Sequence, residues 1–293
     1  MTKSLFKDFR REIKKSKSRF ISIMLIVALG VAFYSGIRST MPAMYMTADA
    51  VYDKENLMDI RVVSTLGLTD EDLERISQIE GVKEVEGSFT TDFLCIVDAK
   101  EIVTRTISMP KRINDLNLKE GDFPEYYNQC VVSPEFLEES GLKIGDTLTL
   151  STGTAEAVTK TLVTEEYKIV GVCSSSYYLN GEVGTSSVGD GMGDAYIILP
   201  TPAFVSEAYT SIYITVEGAK SLNCYGKDYE KTVNRVMKEI EEIAGKQCEL
   251  RYTTVKLSAN KELDKVRSEV TLADLETTNA TQTAQEKLDA QKE

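Results

Sequence analysis

Apolar and polar positions follow three successive patterns along this chain. In the first, Leu5, Phe6, Phe9 and Ile13 fall on one side of a helix and Lys and Arg residues on the other. That predicts an interfacial amphipathic helix, lying on the inner leaflet or against a cytoplasmic partner; a simple topology signal accounts for the same charges. Phe20 to Ile37 then runs for eighteen residues without a charge. At about 1.5 Å per residue such a helix covers roughly 27 Å, close to a hydrocarbon core of about 30 Å. Ser39 to Ala43 would complete the crossing. A buried core helix would show a polar stripe over this length. A cleaved signal peptide is the better rival, because Ala48-Asp49-Ala50 has the small-x-small form of a cleavage site. That tripeptide lies well beyond the apolar run, and the run exceeds a typical signal core, so a retained anchor is the reading adopted.

The second pattern covers residues 56–253 and predicts one mixed unit. Strands are expected at Asp59–Ser64, Val82–Val85, Phe89–Val97, Ile102–Ile107, Cys130–Val132, Thr147–Leu150, Glu166–Val172, Ala195–Leu199, Ile212–Val216 and Cys248–Tyr252. Thr69 with Asp72 opens a helix as a capping box, and Gly81 stops it. Ser133 and Pro134 are the cap and first position of a short helix ending at Gly141. A further helix is expected at about 226–244, with Tyr229, Val233, Val236, Met237 and Ile240 on one side. Strands in runs with few helices favour an α+β class over a doubly wound parallel sheet.

The third pattern occupies 255–293, which holds no Gly or Pro. Ala259, Leu263, Val266, Val270, Ala273, Thr277, Ala280 and Ala284 are spaced alternately four and three apart, a heptad seam. It weakens at Thr277-Thr278-Asn279, where helix propensity is poor. The alternative is an amphipathic helix packed on its own domain. The chain reaches Glu293 without a helix stop, so a piece of a longer protein is expected. The organisation is a cytoplasmic basic segment (1–19), a membrane helix (20–43), an extracytoplasmic α+β domain (50–254) and a coiled-coil segment (255–293).

Charge fixes the expected orientation. Residues 1–19 carry eight basic and two acidic side chains, net +6, against −12 for the whole chain, which leaves −18 for residues 20–293. Basic residues beside a span stay in the cytoplasm, so the N-terminus is expected inside and the acidic bulk outside. The five cysteines are dispersed, without a C-x-x-C pair, and most fall in strand-like runs. They read as small buried apolar residues, all on the outer side, and spacing assigns no pairing.

The available chemistry is limited. The chain has no histidine, which removes the usual general base and zinc ligand, and it has no phosphate-binding loop of the G-x-x-x-x-G-K-[ST] type. No catalytic, cofactor or metal residues are assigned. In the glycine-rich stretch Gly184–Gly193, Asp190 and Asp194 could meet calcium, but their spacing departs from an EF-hand loop. A flexible loop is the plainer reading. Tyr177, Tyr178, Gly189, Asp190 and Gly191 are the candidate contact loop, since loops carry recognition and aromatics anchor interfaces.

Several motifs together resemble FtsX/MacB-type ABC transporter permeases. RREIKKSKSRFISIMLIVALGVAFYSGIRST is similar to their first membrane segment. LKEGDFPEYYNQCVVSPEFLEESGLKIGDTLTL, residues 118–150, is similar to their extracytoplasmic core domain. Gly141-Leu142-Lys143-Ile144-Gly145-Asp146 matches that pattern fully, whereas Gly121-Asp122-Phe123-Pro124 has Asp in place of the usual Arg. YKIVGV and AYIILP also fit. The resemblance implies a permease subunit that is not itself an enzyme. Its ATPase would be a separate cytoplasmic protein, and its outer domain would move to export, extract lipoproteins or signal. The implied partners are that ABC ATPase subunit, membrane lipid, a homodimer or pseudo-dimer mate, and an extracellular peptide, lipoprotein or cell-wall component; nucleic acid is not among them. Leu263, Val266 and Val270 would form the seam of a coiled-coil arm. The competing reading is a single-span surface protein that binds a partner.

Overall fold

The computed structural model describes residues 2–97, 100–179, 183–206 and 208–290, the side chains of 2–4, 278–280 and 282–290 excepted. Helix α1 (Thr2–Lys15) carries Leu5, Phe6 and Phe9 exposed on its apolar side. Ser16 breaks the helix, with φ −122° and ψ 41°. Helix α2 (Lys17–Lys54) then runs for 38 residues, about 57 Å at about 1.5 Å per residue. Its stretch 20–37 is exposed throughout, long enough and apolar enough to cross a membrane. Ala48-Asp49-Ala50 lies inside this helix.

Two lobes follow. The first is a three-stranded antiparallel sheet in the order β1 (Ile60–Leu68), β10 (Tyr209–Val216), β2 (Val82–Ser88). Helix α3 (Asp70–Ser77) links β1 to β2, and the start of α5 (Lys227–Ala290) packs beside it. Ile76, Ile212, Ile214, Val236 and Ile240 form its core. The Asp72 carboxylate accepts from the Thr69 N–H at 2.8 Å and from its hydroxyl at 3.0 Å, as the capping pattern predicts.

The second lobe is inserted between β2 and β10. It contains β3 (Thr90–Val97), β4 (Lys100–Ser108), β5 (Leu116–Gly121), β6 (Gln129–Val132), β7 (Thr147–Ser151), β8 (Glu166–Ser175) and β9 (Ala195–Leu199). The strand order is β5-β8-β6-β9-β4-β3-β7, and β7 also pairs with β8. That extra pairing closes six strands into a barrel, with β5 added alongside β8. Closure leaves few free edges. Phe93, Phe136, Leu148, Leu150, Tyr167 and Ile197 fill the interior. Helix α4 (Pro134–Ser140) has its expected Ser133 cap and ends at Gly141. At Gly121 the backbone sits at φ +76°, and a Cβ there would overlap the Val170 carbonyl, so β5 reaches β8 only with glycine at this point.

One predicted element is wrong. Cys248–Tyr252 is not a strand but part of α5, which continues 64 residues without a break from Lys227 to Ala290. The helix was expected to end near residue 244, yet it runs on through Gly245. A glycine inside a helix costs only about 1 kcal/mol. The contacts of Ile240 and Ile243 before it, and of Arg251 after it with the Leu66 carbonyl at 3.1 Å, outweigh that. The helix therefore passes through residue 255, leaves the domain and extends outward.

Candidate functional site

The last turns of α2 meet everything that follows. Tyr45 stacks on Tyr225 with ring centroids 4.2 Å apart. The Asp49 carboxylate accepts the Cys224 N–H at 2.7 Å. Glu55 accepts the Ser176 N–H at 2.9 Å with its carboxylate and the Asp115 N–H at 2.7 Å with its carbonyl. Asn56, held at φ 45°, accepts the Asn114 N–H at 2.9 Å, and the Asn114 side chain accepts the Met58 N–H at 2.9 Å. Asp59 accepts the Val216 N–H and the Tyr229 hydroxyl, each at 2.7 Å. Within eleven residues, the stalk is bonded to the first lobe, the second lobe and the approach to α5. Charge-assisted bonds of this kind are the stronger ones.

This joint is also acidic and partly dry. Burial pushes the Asp59 carboxyl above its ordinary value; the Val216 and Tyr229 hydrogen bonds and Lys83 only partly oppose it. Burial and then Asp49 raise Asp53, with Lys220 opposing. A carboxyl raised in the folded state binds more protons there than when unfolded, so its stabilising contribution is present below pH 3.8 and lost as pH rises through its folded value. Asp59→Asn is accordingly expected to flatten the fall in stability above pH 3.8, measured as urea midpoints of the full chain across a pH series. An unchanged slope would refute this.

The predicted contact loop occupies two different settings. Tyr177 and Tyr178 form a short turn after β8, between the lobes. Tyr178 stacks on Tyr196 at 4.9 Å and meets Tyr177 edge-on at 4.6 Å. Arg61 of β1 donates to the Tyr177 hydroxyl at 2.6 Å and lies over its ring. These tyrosines thus contribute to the lobe interface, half-buried. Gly189 sits against Val103 and Leu94 of the barrel wall. The Asp190 carboxylate accepts the Met192 N–H at 3.1 Å, and that of Asp194 accepts the Val103 N–H at 2.8 Å. Among the described residues, no three His, Cys, Asp or Glu side chains converge on a metal position. Arg105 pairs with Asp92 and donates to the Val183 and Thr185 carbonyls, which fastens the start of the loop; its guanidinium also feels Tyr178. Tyr178 and residues 183–185 therefore meet at Arg105, while Gly189–Gly191 extends over β3 and β4.

Leu263, Val266 and Val270 line one side of α5, all about half exposed. The seam positions Ala280 and Ala284 have side chains outside the described residues. Cys95, Cys130 and Cys173 are buried and unpaired; burial raises all three thiols, Cys95 to about 11. Cys224 is half-buried and Cys248 exposed. Sequence reasoning missed the joint. Its only local signal was the recurrence of Asp49, Asp53, Glu55 and Asp59 just beyond an apolar helix.

A membrane helix continuous with a two-lobed outer domain defines a membrane-anchored protein with an extracytoplasmic module. The chain belongs to the family of MacB-like periplasmic core domains, which it matches over residues 20–271. It is thereby a member of the FtsX/MacB-type ABC transporter permeases. Similar solved structures include the extracellular domain of the noncanonic ABC-type transporter YknZ from Gram-positive bacteria, at 13% identity and TM-score 0.36, covering 59% of this chain and 85% of that one. The periplasmic region of MacB from Actinobacillus actinomycetemcomitans is 12% identical at TM-score 0.37, covering 61% and 75%. A domain of a permease protein from Porphyromonas gingivalis is 14% identical at TM-score 0.33, covering 57% and 77%. No curated protein matches the sequence significantly.

Proposed function

We propose that this chain is the permease subunit of an ABC transporter in which a separate cytoplasmic ATPase drives motion of the outer domain for export, lipoprotein extraction or signalling. The N-terminus and α1 lie in the cytoplasm, the span crosses once in this chain, and all five cysteines are outside. The permease works as a homodimer or pseudo-dimer, and α5 extends the motion outward through pairing at Leu263, Val266 and Val270. The single observation that supports this reading is α2, helical over 38 residues and followed at once by Glu55 and Asp59, which hydrogen-bond to the second and first lobes. Pro42, just above the span, removes one backbone hydrogen bond, but the helical course continues through it to Lys54 and carries displacement from the membrane to the domain.

Two glycines inserted between Thr47 and Ala48 place a flexible break above the span and below the joint. In the full-length protein, membrane insertion and co-purification of the ATPase are expected to persist while transport or signalling is lost. Normal transport by the insertion variant would show that α2 does not carry the motion.

A further inference from the structure

An apolar cavity of about 120 Å³ lies at the root of the arm, where α5 crosses β1. Its walls are Val62, Leu66 and Leu68 of β1, Ile76 of α3, and Ile240 and Ala244 of α5. Two local features open it. Strand β1 leaves register with β10 between Val63 and Leu68, turning at Gly67 with φ +76°. Opposite this bulge α5 presents the small residues Ala244 and Cys248, one turn apart. An apolar cavity of about 150 Å³ takes up benzene, so this one accepts a short chain end. It is well below the roughly 300 Å³ needed to enclose a whole drug-sized ligand.

The mouth is polar, formed by Arg75, Gln247 and Arg251 with Asp72. Neither guanidinium makes an ion pair among the described residues. Arg251 spends only its Nε on the Leu66 carbonyl, and the Asp72 carboxylate is already engaged by Thr69. A dry slot beneath two free guanidinium forks suits a molecule with an aliphatic end and a carboxylate.

We propose that this cavity binds a small anionic amphiphile, a short aliphatic carboxylate, with its tail between β1 and α5 and its head between Arg75 and Arg251. The position gives such a ligand leverage. Strand β1 begins one residue after Asp59 of the stalk joint, and the other wall is the point where α5 leaves the domain. A tail in the slot is a wedge between stalk-linked and arm-linked elements. The assignment does not depend on the coupling to an ATPase.

Cys248 lines the slot and is exposed, which makes it a built-in reporter. The full chain in lipid nanodiscs would be treated with N-ethylmaleimide, and alkylation of each cysteine followed by peptide mass spectrometry, with and without hexanoate. Hexanoate is expected to slow alkylation of Cys248 severalfold and leave Cys224 unchanged; hexylamine is expected to do nothing. Ala244→Phe, which fills the slot, should abolish protection. Arg251→Gln should raise the hexanoate concentration needed by about tenfold, the loss of one charge-assisted hydrogen bond. Should Ala244→Phe fail to fold, the Arg251→Gln titration still decides. Absence of protection, equal protection by hexylamine, or an unshifted Arg251→Gln titration would overturn the proposal. Stronger protection by a leucine-ended tripeptide than by hexanoate would overturn it in favour of a peptide.

Discussion

A chain carrying Leu25→Asp together with Leu29→Asp is expected to be absent from the integral membrane fraction. The two positions lie one turn apart near the middle of Phe20–Ile37, and both side chains are exposed along α2. A charged side chain at the centre of an inserting helix costs about 2.5–3.5 kcal/mol, so the pair costs about 5–7 kcal/mol. Each 1.4 kcal/mol is about tenfold, which makes the partition shift roughly ten-thousandfold. Nothing in the folded domain compensates, because this stretch of α2 buries no residue against it. The same fact separates insertion from folding: the two lobes keep their cores in the variant. Resistance to carbonate extraction measures the outcome. A double variant that still resists would show that Phe20–Ile37 is not the span. Ser22→Asp, near the basic head, should be much milder, since the cost falls toward the interface.

Elements set by local pattern were legible in the sequence. Ser133-Pro134 fixed the start of α4, the period of apolar residues located β9 within its bounds, and Thr69 with Asp72 located the start of α3. Strand β5 escaped notice because LNLKEG has no β-branched residue and alternates only over Leu116 to Lys119, and it is held chiefly by pairing with β8. The division into two lobes was equally hidden. Ser88 of β2 pairs with Ser211 of β10 across the whole inserted barrel, and no local period announces a partner that distant. Barrel closure rests on Thr147–Thr149 meeting Glu166–Lys168, again a matter of tertiary register. The helical course of Cys248–Tyr252 was misread because its apolar residues alternate as a strand's would, and only the packing of α5 on Leu66 decides between them.

The joint was least legible for a related reason. Its acceptors are acidic side chains clustered in one segment, but their donors are backbone N–H groups of Ser176, Val216 and Cys224. A backbone donor has no sequence signature, so a reader of the sequence sees a solvated acidic stretch. Tyr177 and Tyr178 show the opposite error. Two adjacent tyrosines after three serines looked like a surface loop, yet Arg61 and Tyr196, from elements far away in sequence, cover them.

Arg105→Met is expected to destabilise the second lobe by about 3–5 kcal/mol, the usual cost of removing one partner from a buried ion pair. Arg105 Nε and Nη2 meet the two oxygens of Asp92 at 2.9 and 3.0 Å, and the two side chains are only 19% and 13% exposed. The Asp92 hydrogen bond, ahead of the opposing effect of burial, raises the guanidinium further above its ordinary value, so Arg105 stays charged at any physiological pH. Methionine would leave Asp92 charged, poorly hydrated and alone. It would also strip the donors from the Val183 and Thr185 carbonyls. For a unit of this size each kcal/mol lowers Tm by about 2–4 °C, so a fall of roughly 6–20 °C is expected from thermal unfolding of the full chain. Hydrogen exchange should quicken over residues 183–194 more than over β6. Arg105→Lys keeps the charge but not the two-pronged geometry, and its loss should be intermediate. Adding Asp92→Leu to Arg105→Met should recover most of the stability, because a well-packed apolar pair often replaces a buried ion pair at little cost. The loop, however, should remain fast-exchanging in the double variant, since its carbonyls still lack Arg105. If the double variant is as unstable as the single one, an unpaired Asp92 is not what the single variant suffers from. If its loop exchange returns to normal, Arg105 is not the tether of that loop.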